Sequence, residues 1–298
     1  MNVFNNFGYK LFSGESSLDY MPEVLKWLND KGINSLSSRY SKYSRDIDDY
    51  FKCADPTSIE GRAKFDKLTN SYLECINIVT VYKVFRDEHS KGFVDRLKQV
   101  ISGQQHPGNG SAGPSRDFLF ELMIAARLQQ SGFKIDFNKL TDVVADNGEF
   151  LVFGECKRLS SEKKFEANFK HAGKRLDLRA KKETKRVHGI IFVNVSSCLT
   201  NIPQSELLDE IEAWRVISSS VEQFVVRNNN KIEQLNERFS NTSLGVCLIG
   251  QAPVWTKNFT LYSVTNTRVI APVSLSDTDF KSLNKILDNF TCSMFSLF

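Results

Sequence analysis

The sequence predicts an α/β protein in which alternating helices and strands follow an all-helical N-terminal domain. Three observations carry this. Apolar residues recur at helical spacing between Met21 and Ile101, the polar Gly/Pro-rich stretch Ser102 to Ser115 (SGQQHPGNGSAGPS) then breaks every pattern, and from Arg116 onward helical and strand patterns alternate. A chain of 298 residues also exceeds the size at which one core usually stops growing. The expected organisation is therefore a helical domain over 1–101, a flexible linker over 102–115 and an α/β domain over 116–298.

In the first region Met21 to Leu28, Phe65 to Phe85 and Phe93 to Ile101 read as helices. Arg116 to Gln130 is a strongly apolar helix closed by Ser131 and Gly132, where glycine can take the left-handed turn. Strands are expected at Phe133 to Phe137, Asp142 to Ala145 and Phe150 to Lys157, the last two joined by the hairpin turn Asp146-Asn147-Gly148. Ser160 or Ser161 can cap a helix running to Lys182, and His188 to Val195 reads as a buried strand. Gln204 to Phe239 is largely helical, Leu244 to Ile249 and Leu261 to Ile270 are strands, and Leu275 to Phe290 is a helix capped near Ser276.

The composition, 41% apolar and 25% charged, supports a sizeable core and excludes disordered and fibrous classes. No apolar run approaches the roughly 20 residues needed to span a bilayer, and the start has no signal-peptide pattern. A cytoplasmic address with no membrane partner is the expectation. The six cysteines show no C-x-x-C pair, so neither zinc nor a disulfide framework is indicated. Lys157 to Arg186 holds 12 Lys or Arg against 4 Asp or Glu, net +8, while the whole chain carries +4, so the rest carries −4. One segment holds all the positive surplus.

Three Glu-x-Lys tripeptides occur: Glu155-Cys156-Lys157, Glu162-Lys163-Lys164 and Glu183-Thr184-Lys185. The second and third lie in a charged helix. The first ends a strand whose alternation puts Leu151, Phe153, Glu155 and Lys157 on one face, so charge replaces hydrophobe at the margin of a buried sheet. The hairpin can bring Asp142 beside Glu155, and two adjacent carboxylates attract a hard cation such as Mg²⁺. A salt bridge at the hairpin end is the plainer alternative. Glu121 interrupts the apolar run Phe118 to Ala125 and, pointed at the hairpin, could reach the metal or its water; Arg127 or Arg116 could equally satisfy it.

In the following helix Phe165, Phe169, Ala172 and Leu176 share one face. Lys163, Lys170, Lys174 and Lys181 fall on the opposite face, with Arg175 and Arg179 to the sides. Such a stripe suits a phosphate backbone, although most charged helix faces are simply solvated. His171 and His188 sit in no recognisable catalytic spacing.

A helical Glu, then Asp, then Glu-x-Lys, with a basic helix following, resembles the PD-(D/E)xK, or restriction-endonuclease-like, nuclease superfamily over Arg116 to Val195. The resemblance implies a restriction-endonuclease-like core, a mixed central sheet flanked by helices, and Mg²⁺, for which Mn²⁺ can substitute. It makes Asp142 and Glu155 metal ligands, with the Cys156 carbonyl and Glu121 as further ones, and Lys157 the residue that orients or polarises the attacking water. Thr141 stands where the superfamily motif has proline. The expected function is a Mg²⁺-dependent nuclease acting on DNA in preference to RNA, for which restriction or defence is a natural setting. Lys163, Lys170, Lys174, Arg175 and Lys181 are the expected nucleic-acid contacts, and the helical domain could pair with a second copy or another protein. The alternative is a non-catalytic module of the same fold that binds nucleic acid or a partner.

Overall fold

The computed structural model describes residues 2–4, 9–12, 18–54, 58–105, 113–139, 141–200, 202, 208–257, 261–288, 290 and 292–296. Of the expected linker over 102–115, residues 106–112 lie outside them, and Pro114 and Ser115 belong to the helix that follows. Helices α1 (Met21–Asp30), α3 (Ile59–Phe85), α4 (Lys91–Ile101) and α5 (Pro114–Gln130) form where the apolar spacing places them. Helix α2 (Arg39–Phe51) was not expected, because its inward face is built from Tyr40, Tyr43 and Ile47 within an otherwise polar sequence. The N-terminal region is not entirely helical: β1 (Asn2–Phe4) and β2 (Tyr9–Phe12) join the sheet.

Helix α5 closes at Gly132, whose φ of 85° fits the expected left-handed turn. Strands β3 (Lys134–Ile135), β4 (Val143–Asp146) and β5 (Leu151–Arg158) follow, the first shorter than its sequence suggested. A 3-10 turn over Glu162–Lys164 leads into α6 (Phe165–Ala180), so the helix proper starts later than Ser161. Then come β6 (Val187–Asn194), α7 (Glu210–Arg238), β7 (Ser243–Trp255), β8 (Leu261–Ala271), α8 (Asp277–Leu287) and β9 (Cys292–Ser296). A reciprocal Asp209–Glu212 capping box starts α7, and the Ser276 side chain accepts from the Asp279 N–H to start α8.

The strands form a mixed sheet in the order β2-β9-β8-β7-β6-β5-β4-β3, with β1 also paired to β8. Strands β5, β6 and β7 run parallel, β3, β4 and β5 form an antiparallel meander, and β8 is antiparallel to β7 and β9. Alternation along the strands divides the core. Val143, Val152, Cys156, Ile190 and Phe192 pack with α5, α8 and the N-terminal helices, whereas Val144, Leu151, Phe153, Ile191 and Val193 pack with α6 and α7. The first cluster runs continuously from Met21 to Phe290. Among the described residues no helix is long and apolar enough to cross a membrane, and Cys75, Cys156, Cys198 and Cys247 are free, buried thiols.

Candidate metal and phosphate site

The β4–β5 hairpin fixes the position of the first acid against the second. Gly148 adopts φ 91° in the turn and donates its N–H to Asp146 Oδ1 at 2.7 Å, while Asn147 Oδ1 accepts from the N–H groups of Glu149 and Phe150, both at 3.0 Å. The resulting register pairs Asp146 with Leu151 and Val143 with Gly154, so continuing it by one position sets Asp142 opposite Glu155. The N–H of Cys156 donates to Asp142 Oδ2 at 2.9 Å, which ties the entry of β4 to the exit of β5. From the N-terminal region, Arg96 of α4 holds the same loop, donating to the carbonyls of Asp142 (2.9 Å), Thr141 (3.0 Å) and Lys139 (3.3 Å).

Lys157 Nζ stands 3.4 Å from Asp142 Oδ2, 3.5 Å from Glu155 Oε2 and 3.0 Å from the Cys156 carbonyl oxygen, to which it donates. The sequence-predicted trio therefore converges. Glu155 has no solvent exposure at all, and its Oε2 accepts no hydrogen bond. Burial and the neighbouring Asp142 charge push its carboxyl up to about 7, against the opposing pull of Lys157, Arg175 and Arg179.

Both of those arginines come from α6. Arg175 meets Asp142 Oδ1 at 2.9 Å and Glu155 Oε2 at 3.2 Å, and Arg179 pairs with Glu155 Oε1. One helical turn separates them, so they leave the same flank of α6, whose Phe165, Phe169, Ala172 and Leu176 are buried as expected. Sequence reasoning placed Arg175 with the nucleic-acid stripe and gave Arg179 no role. A buried glutamate beside a helix carrying arginines four residues apart was the available signal, since such a carboxylate requires cations.

Glu121 on α5 lies within electrostatic range of Asp142, Arg96, Lys157 and Asp117. Burial first, and the Asp142 charge second, push its carboxyl up to about 8. Arg116, one of its suggested partners, is engaged elsewhere at 2.8 Å by Glu74. Asp117, earlier on α5, forms a long ion pair of 3.8 Å with Arg158. Lys163, Lys174 and Lys181 are exposed, and Lys170 is half-buried and paired with Glu166 at 2.5 Å. Of the exposed lysines only Lys174 lies within α6; Lys163 belongs to the 3-10 turn before it and Lys181 is its C-cap, so the expected stripe on one helix face is interrupted.

No family model matches this chain, and no curated protein or solved structure does. What the site can do is therefore argued from its geometry alone.

Among the described residues, no group of three or more His, Cys, Asp or Glu side chains forms a complete metal cage. Mg²⁺, however, is commonly held by only one or two carboxylates with waters completing its shell. Asp142 and Glu155 supply that set, the Cys156 carbonyl is adjacent, and the buried Oε2 of Glu155 has no hydrogen-bond donor. These hard oxygen donors fit a divalent cation.

Proposed function

We propose that this chain is a Mg²⁺-dependent nuclease that hydrolyses phosphodiester bonds, with DNA as its preferred substrate. One observation carries the reading: two carboxylates stand opposite each other at the end of a hairpin, with the ammonium of Lys157 within 3.5 Å of both. A helix, three-strand meander, helix and parallel strand surround it, which supports a restriction-endonuclease-like core.

Bound between Asp142 and Glu155, the divalent cation would supply Lewis-acid chemistry, promoting ionisation of the attacking water and offsetting phosphoryl charge. Asp142 is held rigid for this by the Cys156 N–H and, through its own carbonyl, by Arg96. Lys157 presents an ammonium to the charge that develops on the phosphoryl oxygens. Glu121, protonated near neutrality and close to Asp142, is placed to exchange a proton with water at the site.

The test is cleavage of plasmid DNA, single-stranded DNA and RNA by purified protein in Mg²⁺, Mn²⁺ or EDTA. Metal-dependent cleavage should fall roughly a hundredfold or more in Lys157→Ala and in Glu155→Gln. The same loss should be absent in Lys281→Ala, which alters an exposed lysine of α8 outside the site. A second reading, a binding module without catalysis, is favoured by the ion pairs that already hold both carboxylates to Lys157, Arg175 and Arg179. Tight DNA binding in EDTA, with every phosphodiester intact under all metals, would decide for that module.

A further inference from the structure

We propose that Arg175 and Arg179 are substrate-binding residues that exchange partners: they yield Asp142 and Glu155 to the divalent cation and turn to the phosphates of the nucleic acid. This rests on the nuclease reading above and adds to it an exchange of partners by two residues whose ion pairs that reading leaves unexplained.

Arg175 contacts Asp142 Oδ1 and Glu155 Oε2, and Arg179 contacts Glu155 Oε1. A cation held by the two carboxylates would compete with the guanidiniums for these oxygens. A guanidinium remains protonated at any ordinary pH, so neither arginine can relieve the conflict by losing its charge. They must move. Both side chains are partly exposed, at 29% and 23%, whereas Glu155 is fully enclosed, so the arginines are the mobile side of each pair.

Charge balance then names what they move to. Asp142 and Glu155 face Lys157, Arg175 and Arg179, a cluster of net charge +1. Entry of a divalent cation makes it +3 in a half-buried volume, a strongly unfavourable arrangement unless anions arrive with it. A nucleic-acid strand supplies a regular row of them. Two guanidiniums one helical turn apart present planar forks suited to phosphate oxygens, and the exposed Lys174 and Lys181 extend the positive surface along the same helix. Cation and strand therefore strengthen one another's binding, and by linkage the effect is reciprocal.

The experiment measures Mn²⁺ binding, read as loss of the free-ion paramagnetic resonance signal, for wild type, Arg175→Gln and Arg175→Gln/Arg179→Gln. It also measures binding of a short DNA duplex by each protein in Ca²⁺ and in EDTA. Partner exchange requires the double variant to bind Mn²⁺ roughly tenfold more tightly than wild type, because the competing charges are gone. It also requires Ca²⁺ to strengthen DNA binding by wild type more than by the variant. If the double variant does not fold, Arg175→Gln keeps Arg179 on Glu155 and carries the same comparison with a smaller gain. Mn²⁺ bound by wild type with unchanged or weaker affinity in the variants overturns partner exchange and leaves the nuclease reading standing. Absence of Mn²⁺ binding by all three proteins overturns both.

Discussion

Burial and the nearby Asp142 charge push the carboxyl of Glu121 up to about 8, so this side chain carries a proton through much of the neutral range. Folding thus raises its proton affinity above the ordinary 4.5, and linkage fixes the consequence. The stability this group contributes is complete below pH 4.5 and is lost as pH rises through about 8, because the unfolded chain then ionises more readily. In EDTA, denaturant unfolding of wild type should show that decline, and Glu121→Gln, neutral throughout, should show a shallower one that retains the part due to Glu155. Parallel pH profiles for the two proteins would remove the basis for treating Glu121 as a proton carrier. The neighbouring residues mark how far the sequence could be read. Asp142, Glu155 and Lys157 meet because a hairpin register and a period of two fix their places, and both are local properties. Arg175 and Arg179 were missed because a helical wheel orders residues about their own axis and says nothing of an acid on the next strand.

Helix α6 lies close to the C-terminal end of α7, and Gly173 is what permits the approach. A Cβ at that position would stand 2.4 Å from Cδ2 of Phe239, the buried C-cap of α7. The ring is 3% exposed and packs within the apolar cluster between α6 and α7, so it has little room to yield. Gly173→Ala should therefore destabilise the protein by about 1–3 kcal/mol through overpacking, despite the better helix propensity of alanine. Lys174→Ala, one residue away on the exposed face, should stay within about 0.5 kcal/mol of wild type. Denaturant midpoints for the pair decide the matter, and equal midpoints would mean that α6 is free to shift. The elements that the sequence concealed share a physical cause. Helix α2 buries tyrosines, whose hydroxyls disguise an apolar face, and β1, β2 and β9 are too short for a period of two to stand out.

The N-terminal helices and the sheet share one apolar cluster, and a buried ionic network joins them within it. Glu74 on α3 accepts from Arg39 on α2 and from Arg116 on α5, each at 2.8 Å, with the arginine side chains only 1% and 7% exposed. Arg39 also donates to Ser115, and Arg116 to the Gln105 carbonyl, so the network reaches both sides of the expected linker. Arg96 adds a direct connection from α4 to the loop that bears Asp142. Geometry at the candidate site therefore depends on residues far before it in sequence, which no reading of the motif alone could supply. Removing the shared acceptor in Glu74→Ala leaves two buried guanidiniums uncompensated, a loss of about 3–5 kcal/mol by analogy with other broken buried pairs. That is a large part of an ordinary domain's stability, and the continuous core requires its effect to be felt throughout. Unfolding followed by the fluorescence of Trp27 in α1, in a Trp214→Phe/Trp255→Phe background that silences the tryptophans of α7 and β7, and by far-ultraviolet circular dichroism should give a single coincident transition, moved as a whole to lower denaturant in the variant. Two separate transitions, with only the tryptophan signal moved by the substitution, would mean that the helices and the sheet fold independently despite the shared core.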